Sequence, residues 1–242
     1  NRAEALNTYN ASIQKGLGDA YRRCDEDDAV RVIVLTGAGK AFCAGADLSA
    51  GGDTFGAGGK MDFSSCPLSV QAWDLRKPVI AAVNGICCGG GLEFALSADM
   101  ILASENASFA LPEIRSGTIA DAATAKLPKR MPYHIAMEML FTGRWIDTEE
   151  AARWGMINRI VPAADLMDQA REMADLLASG PPLVYAAIKE VVREAEDMKF
   201  QDALNKITKS QFETVEKLYR SDDQLEGARA FAEKRDPVWK GK

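Results

Sequence analysis

The sequence predicts an α/β protein whose second half is mostly helical. Three observations carry that reading. Short β-branched apolar runs alternate with helical spacing over the first half, glycine-rich turns follow two of those runs, and three- and four-residue apolar spacing dominates from Asp121 onward. With 242 residues, 47% hydrophobic and 26% charged, the chain can bury a full core and lies outside the range of disordered segments.

Leu6, Tyr9, Ile13, Leu17, Ala20, Tyr21 and Cys24 recur at helical steps, so a helix is expected there, ending at the acidic stretch 25–28. Residues 30–36 (VRVIVLT) read as a buried strand, and 37–48 as a loop of small residues. The glycines of 49–65 predict a mobile loop. A second strand is expected at 78–83 (PVIAAV), and Gly89 to Gly91 open a helix through Leu92, Phe94 and Leu96. Short strands follow at 100–103 and 108–110, with a turn at Pro112. Pro132, Thr148, Pro162 and Pro181 punctuate the helices beyond, where 157–161 is the only strand expected. No internal repeat is visible. The core should span 1–180 and a helical region 181–242, which packs on the first half or on another subunit. The chain opens on Asn1 and runs straight into helical spacing, which predicts a natural start further upstream.

Charge narrows the function classes. The 35 acids against 29 bases leave a net charge of −6, a poor basis for binding nucleic acid through its phosphates. His134 is the one histidine, so multi-histidine metal sites and His-pair mechanisms are excluded, no metal is expected, and carboxylates become the agents of acid–base chemistry. The five cysteines are odd in number and include an adjacent pair, as in a reducing, cytoplasmic setting. No apolar run is long enough to span a membrane.

Two segments share one design, a buried strand followed by glycines and small residues: 36–48 (TGAGKAFCAGADL) and 83–93 (VNGICCGGGLE). Missing side chains let backbone N–H groups approach a ligand, and in the second segment those groups lie at a helix N-terminus. Two such N–H groups aimed at one carbonyl oxygen would make an oxyanion hole. A dinucleotide fingerprint fails because Phe42 replaces the third glycine, and a Walker A loop fails at Val34 and Ala41. Tight turns of an ordinary α/β protein would look the same from spacing alone.

The motifs 41–48 (AFCAGADL), 77–85 (KPVIAAVNG), 89–93 (GGGLE), 109–113 (FALPE), 140–143 (LFTG) and 151–155 (AARWG), in this order, resemble the enoyl-CoA hydratase/isomerase (crotonase) family over nearly the whole chain. The resemblance implies a right-handed spiral of ββα units with a C-terminal helical trimerisation region, and hence a homotrimer or a hexamer built as a dimer of trimers. It implies an acyl-CoA substrate and no cofactor besides the coenzyme A that the substrate carries. By position, the N–H groups of Ala46 and Gly90 would form the oxyanion hole, and Ala44, Asp47, Leu48 and Gly89 would line the coenzyme A and substrate side. The segments 127–129 (LPK), 153–159 (RWGMINR) and 231–241 (FAEKRDPVWKG) are most similar to members acting on carnitinyl- or crotonobetainyl-type acyl groups.

Glu93 and Glu113 match the two glutamates of the family's hydratases. Taken alone, each is an ordinary acid: one is near a helix start, the other follows a proline turn. The resemblance implies that Glu93 acts as base on a water adding to the β-carbon and that Glu113 delivers a proton to the α-carbon, with dehydration as the reverse. Two acids held close together do not both ionise easily, so one pKa should rise. Asp121, eight residues after Glu113, is a third acid, also found in dienoyl-CoA isomerases of the family, and equally a helix N-cap. Its setting is 120–124 (ADAAT), where the resembling members carry Pro-Asp-Ser-Gly-Gly, which should narrow the pocket. Arg2 and Lys234 are candidates for coenzyme A phosphates, or simply solvated. Cys87, Cys88, Met137, Met139, Trp145 and Trp154 read as core, and His134 as structural. Two other activities compete: an isomerase using Glu113 and Asp121, and an acyl-CoA-binding paralogue without turnover.

Overall fold

The computed structural model describes residues 1–49 and 75–242. Eight strands among them build two sheets. The strands β1 (Ile33–Thr36), β2 (Ala41–Cys43), β3 (Val79–Val83), β4 (Ile86–Cys88), β5 (Met100–Ser104) and β6 (Ser108–Ala110) alternate between them, while β7 (Ile146–Asp147) joins the sheet of β6 and β8 (Arg159–Val161) the other. One sheet has the order β1-β3-β5-β8 and is parallel throughout. The other has the order β2-β4-β6-β7, parallel except for its last pair. The pairs β1/β2, β3/β4 and β5/β6 each put one strand in each sheet, and the helix Gly90–Leu96 joins β4 to β5, as in the ββα repeat that the motifs imply.

All five residues of β3 are buried, as a strand covered on both faces requires. Its side chains alternate. Ala81 and Val83 join a cluster with Leu92, Phe94, Leu127 and Met139, while Ile80 and Ala82 join Leu102, Val161, Leu166 and Ala170 on the opposite face.

The first helix, α1 (Ala11–Glu26), begins later than its apolar spacing suggests. Asn10 caps it by accepting from the Ile13 N–H at 3.1 Å. Leu6 and Asn7 lie outside it with positive φ, and the Asn7 amide donates to the carbonyls of Ala38 and Ala41 at 2.8 Å each. Tyr9 forms a parallel bridge with Ala46 instead of a helical turn. Three strands were also absent from the sequence reading. β2 lies inside the expected loop 37–48, β4 precedes the glycines, and β7 comes before the one late strand expected. With two or three residues each, they are too short to show a period, and long-range pairing alone creates them. The expected loop 49–65 lies outside the described residues except for Ser49.

The remaining helices are α2 (Gly90–Leu96), α3 (Asp121–Arg130), α4 (Tyr133–Thr142), α5 (Thr148–Arg153), α6 (Leu166–Ala178), α7 (Pro182–Ala195), α8 (Phe200–Thr208), α9 (Glu213–Tyr219) and α10 (Asp223–Glu233). α6 covers the outer face of the parallel sheet through Leu166 and Ala170. α7 is tied to the spiral by Lys189, which pairs with Asp99 at 2.6 Å, and Glu196 beyond its end pairs with Lys126 at 2.7 Å. A small separate cluster of Ala187, Phe212 and Val215 holds the last helices together. The tail is held by the buried Asp223 carboxylate, which accepts from the Lys240 and Gly241 N–H groups. Met139 is buried, but Trp145 is 46% exposed, against expectation, in the connection between α4 and β7. No helix among the described residues is long and apolar enough to cross a membrane.

Candidate active site

The two glycine-rich segments meet back to back. Gly45 has φ +91° and Gly89 has φ +56°, conformations that favour glycine, and a Cβ on Gly89 would lie 3.6 Å from the Gly45 α-carbon. Gly91 is confined further, because a Cβ there would fall 2.1 Å from the Cys43 carbonyl oxygen. This packing brings the end of β2 against the start of α2.

It also leaves two N–H groups without partners in the local ladders. In the bridge to Ala46, the Tyr9 N–H donates to the Gly45 carbonyl and the Asp47 N–H donates to the Tyr9 carbonyl, both at 2.9 Å. The Ala46 N–H therefore points to the other side of its strand. Gly90 is the first residue of α2, where an N–H has no carbonyl one turn back to donate to. Both residues line a cavity of about 290 Å³ together with Ala44, Leu48, Gly89, Glu93, Glu113 and Asp121. A larger cavity, about 450 Å³, lies between α1 and β1, but no acidic residue lines it, so size is a poor guide here.

Glu93 projects from the first turn of α2 and is only 5% exposed. Its Oε1 accepts from the Ala123 N–H at 2.8 Å. Burial pushes its pKa up to about 7; the Ala123 N–H works against that rise, and the charges of Glu113 and Asp121 add to it. Glu113 lies in the 3₁₀ turn Pro112–Ser116, and its Oε1 sits 2.8 Å from where a Gly89 Cβ would be. Its Oε2 is buried with no hydrogen-bond partner. Burial raises its pKa too, and the Asp121 charge adds to the rise. Glu93 faces an N–H donor and Glu113 carries an unpartnered oxygen, and of the two the Glu93 pKa is raised by the charge of the other.

Asp121 lines the same cavity but does not cap its helix. The N-cap of α3 is Ala120, without a side-chain hydrogen bond, and the Glu93 carboxylate supplies the missing acceptor from across the cavity. Asp47 stands apart from the cavity lining. It is held down at about pKa 2 by hydrogen bonds from the Ser49 hydroxyl and N–H and by Arg2, whose guanidinium lies 2.7 Å away. Arg2 is thus engaged by Asp47 and by the Thr8 carbonyl. Lys234 caps α10 in a left-handed conformation. Burial pushes the Cys43 thiol up to about 11 and the Cys88 thiol to about 12, so neither is an activated nucleophile. His134 is exposed beside Tyr133.

Sequence reasoning missed one wall of the cavity, Tyr9, which it assigned to the apolar face of α1. Asn10 was the signal: a good N-cap at that point starts the helix after Tyr9.

The family model for enoyl-CoA hydratase/isomerase matches residues 1–242. The chain is 43% identical over 244 residues to the carnitinyl-CoA dehydratase of Proteus mirabilis (strain HI4320), covering 98% of this chain and 91% of that protein. It is 44% identical over 240 residues to the carnitinyl-CoA dehydratase of Salmonella enteritidis PT4 (strain P125109), with the same coverage. Among solved structures, the enoyl-CoA hydratase of Bacillus anthracis superposes with a TM-score of 0.88 at 34% identity, covering 100% of this chain and 93% of that one. The enoyl-CoA hydratase of Mycobacterium tuberculosis H37Rv gives 0.85 at 33%, with the same coverage. The chain belongs to the enoyl-CoA hydratase/isomerase family.

Proposed function

We propose that this protein adds water reversibly across the double bond of a 2-enoyl-CoA thioester, the reverse being dehydration of the 3-hydroxyacyl-CoA. We propose further that the acyl group is of the carnitinyl or crotonobetainyl type, as in the proteins of Proteus mirabilis and Salmonella enteritidis. The observation that supports the chemistry best is the pair of glutamates, Glu93 buried and Glu113 half-buried, lining one cavity with the outward N–H groups of Ala46 and Gly90.

In this reading the thioester oxygen accepts from the Ala46 and Gly90 N–H groups, which stabilise the enolate formed as the β-carbon is attacked. Such donors typically contribute about 10²–10³ in rate each. Ionised Glu93 takes a proton from the attacking water, whose oxygen bonds to the β-carbon. Glu113 gives its proton to the α-carbon, so one water is consumed and the pair ends with its proton exchanged between the two acids. Ala44, Leu48 and Gly89 border the thioester and pantetheine. The coenzyme A phosphates need a cationic partner from elsewhere, since no Lys or Arg lines this cavity among the described residues.

The test is turnover of short, branched, aromatic and trimethylammonium-bearing enoyl-CoAs in H₂¹⁸O. Hydration places the label on the β-carbon of the product. The presence of Asp121 in the same cavity favours a second reading, an isomerase shuttling protons through Glu113 and Asp121. That activity would give a shifted double bond with no label.

The subunit is proposed to act as a homotrimer or a dimer of trimers. Large apolar side chains of the C-terminal helices support this, Phe200 being 80% and Phe231 89% exposed on the single chain.

A further inference from the structure

Tyr9 is the one aromatic side chain in the cavity wall among the described residues, and the acid–base chemistry above leaves it without a part. Its backbone belongs to the first glycine segment: the N–H donates to the Gly45 carbonyl and the carbonyl accepts from the Asp47 N–H, each at 2.9 Å, on either side of Ala46. Its side chain belongs to the second. The ring packs edge-on against Phe94, with centroids 5.3 Å apart and planes at 68°. A Cβ on Gly90 would lie 2.5 Å from the ring edge and 2.6 Å from the phenol oxygen, so the ring rests on the Gly90 α-carbon. A single residue thus grips Ala46 with its backbone and Gly90 with its ring.

We propose that Tyr9 is a positioning residue whose ring sets the separation and aim of the Ala46 and Gly90 N–H groups, and so the polarisation of the thioester carbonyl. This rests on the oxyanion-hole reading above. The two N–H groups come from separate chain segments, and hydrogen bonds weaken steeply as donor and acceptor lose alignment. Backbone bonds hold the Ala46 side whatever residue stands at position 9. The ring, wedged between Gly90 and Phe94, adds a contact directly on Gly90 to the backbone packing of Gly89 and Gly91. The contact also explains why position 90 has room for glycine alone.

The test follows the absorption of a conjugated, chromophoric enoyl thioester, 4-dimethylaminocinnamoyl-CoA, on binding to the intact protein. Its red shift reports carbonyl polarisation directly, which fold stability does not move. Y9F keeps the ring, so it should retain the wild-type shift and a kcat within about threefold. Y9A should lose at least about half of the shift and about 10²-fold in kcat, with affinity for the thioester changed much less. G90A should fall similarly, because its methyl collides with the ring, and Y9A/G90A should recover part of what G90A loses. If Y9A fails to fold, Y9L, which refills the volume without a planar ring, reads the same quantity. A full shift and full kcat in folded Y9A or Y9L overturns the role of Tyr9. A wild-type protein that turns over enoyl-CoA but shows no shift overturns the oxyanion-hole reading and the Tyr9 proposal with it.

Discussion

Glu93 and Glu113 are the same residue type in one cavity, and their neighbours make them different. E93Q or E113Q should each lower kcat by about 10²–10⁴ in hydration assays while leaving the circular dichroism unchanged. The pKa of about 7 for Glu93 includes repulsion from the charges of Glu113 and Asp121, so it marks the loss of the last proton of the pair. Activity should therefore fall as pH rises through about 7, in a profile of kcat/KM whose alkaline limb moves to lower pH in E93Q, where Glu113 titrates alone. Stability moves with the same group. A carboxyl whose pKa is higher folded than unfolded destabilises the fold when ionised, so stability declines between about pH 4.5 and pH 7 and is level above. E93Q keeps the acceptor for Ala123 without the charge. It should be more stable than wild type at pH 8 by about 3 kcal/mol, with the difference vanishing near pH 4, in urea unfolding at both values.

Elements at the site are held by each other more than by their own caps. α3 starts at Ala120 without a side-chain acceptor, and Glu93 serves it from α2. E93A should thus loosen the first turn of α3 as well as stop catalysis, seen as faster hydrogen exchange at Ala123 than in E93Q. The glycine contacts are stricter. A methyl on Gly91 would enter the Cys43 carbonyl oxygen, Gly91 being held in α2 and Cys43 in the paired strand β2, so G91A should cost at least about 3 kcal/mol or prevent folding. These contacts make a motif such as 89–93 legible: small residues recur where two backbones must touch. β2, β4 and β7 were not legible, because two or three residues show no period and pairing with distant strands defines them.

On the scale of the molecule, sharing strands between two sheets puts consecutive segments of the chain on opposite sides of one core. The end of β2, the start of α2, the turn after β6 and the start of α3 thereby converge on one cavity. The apolar side chains left exposed on the last helices, Phe200 and Phe231 above all, are where the proposed subunit contact is to be tested. Sedimentation equilibrium should give three or six times the 26.2 kDa of one chain. F231D should lower that mass, and a monomer that persists in the wild-type protein would refute the proposed assembly.

Much of the protein can be read in its residues without coordinates: the α/β class, the buried strands, the helices of the second half, the two glycine segments and the acids worth watching. Those features are local, since spacing, β-branching and missing side chains act within a few residues of where they stand. The tertiary structure decided what depends on distance in space. It brought Glu93 and Glu113 to one cavity, turned Asp47 away toward Arg2, moved Tyr9 out of its helix and onto Gly90, and gave Glu93 the N–H of Ala123. A pKa, a partner or an aim is set by which surfaces exclude water together, and residues twenty or more positions apart in the chain carry no mark of meeting.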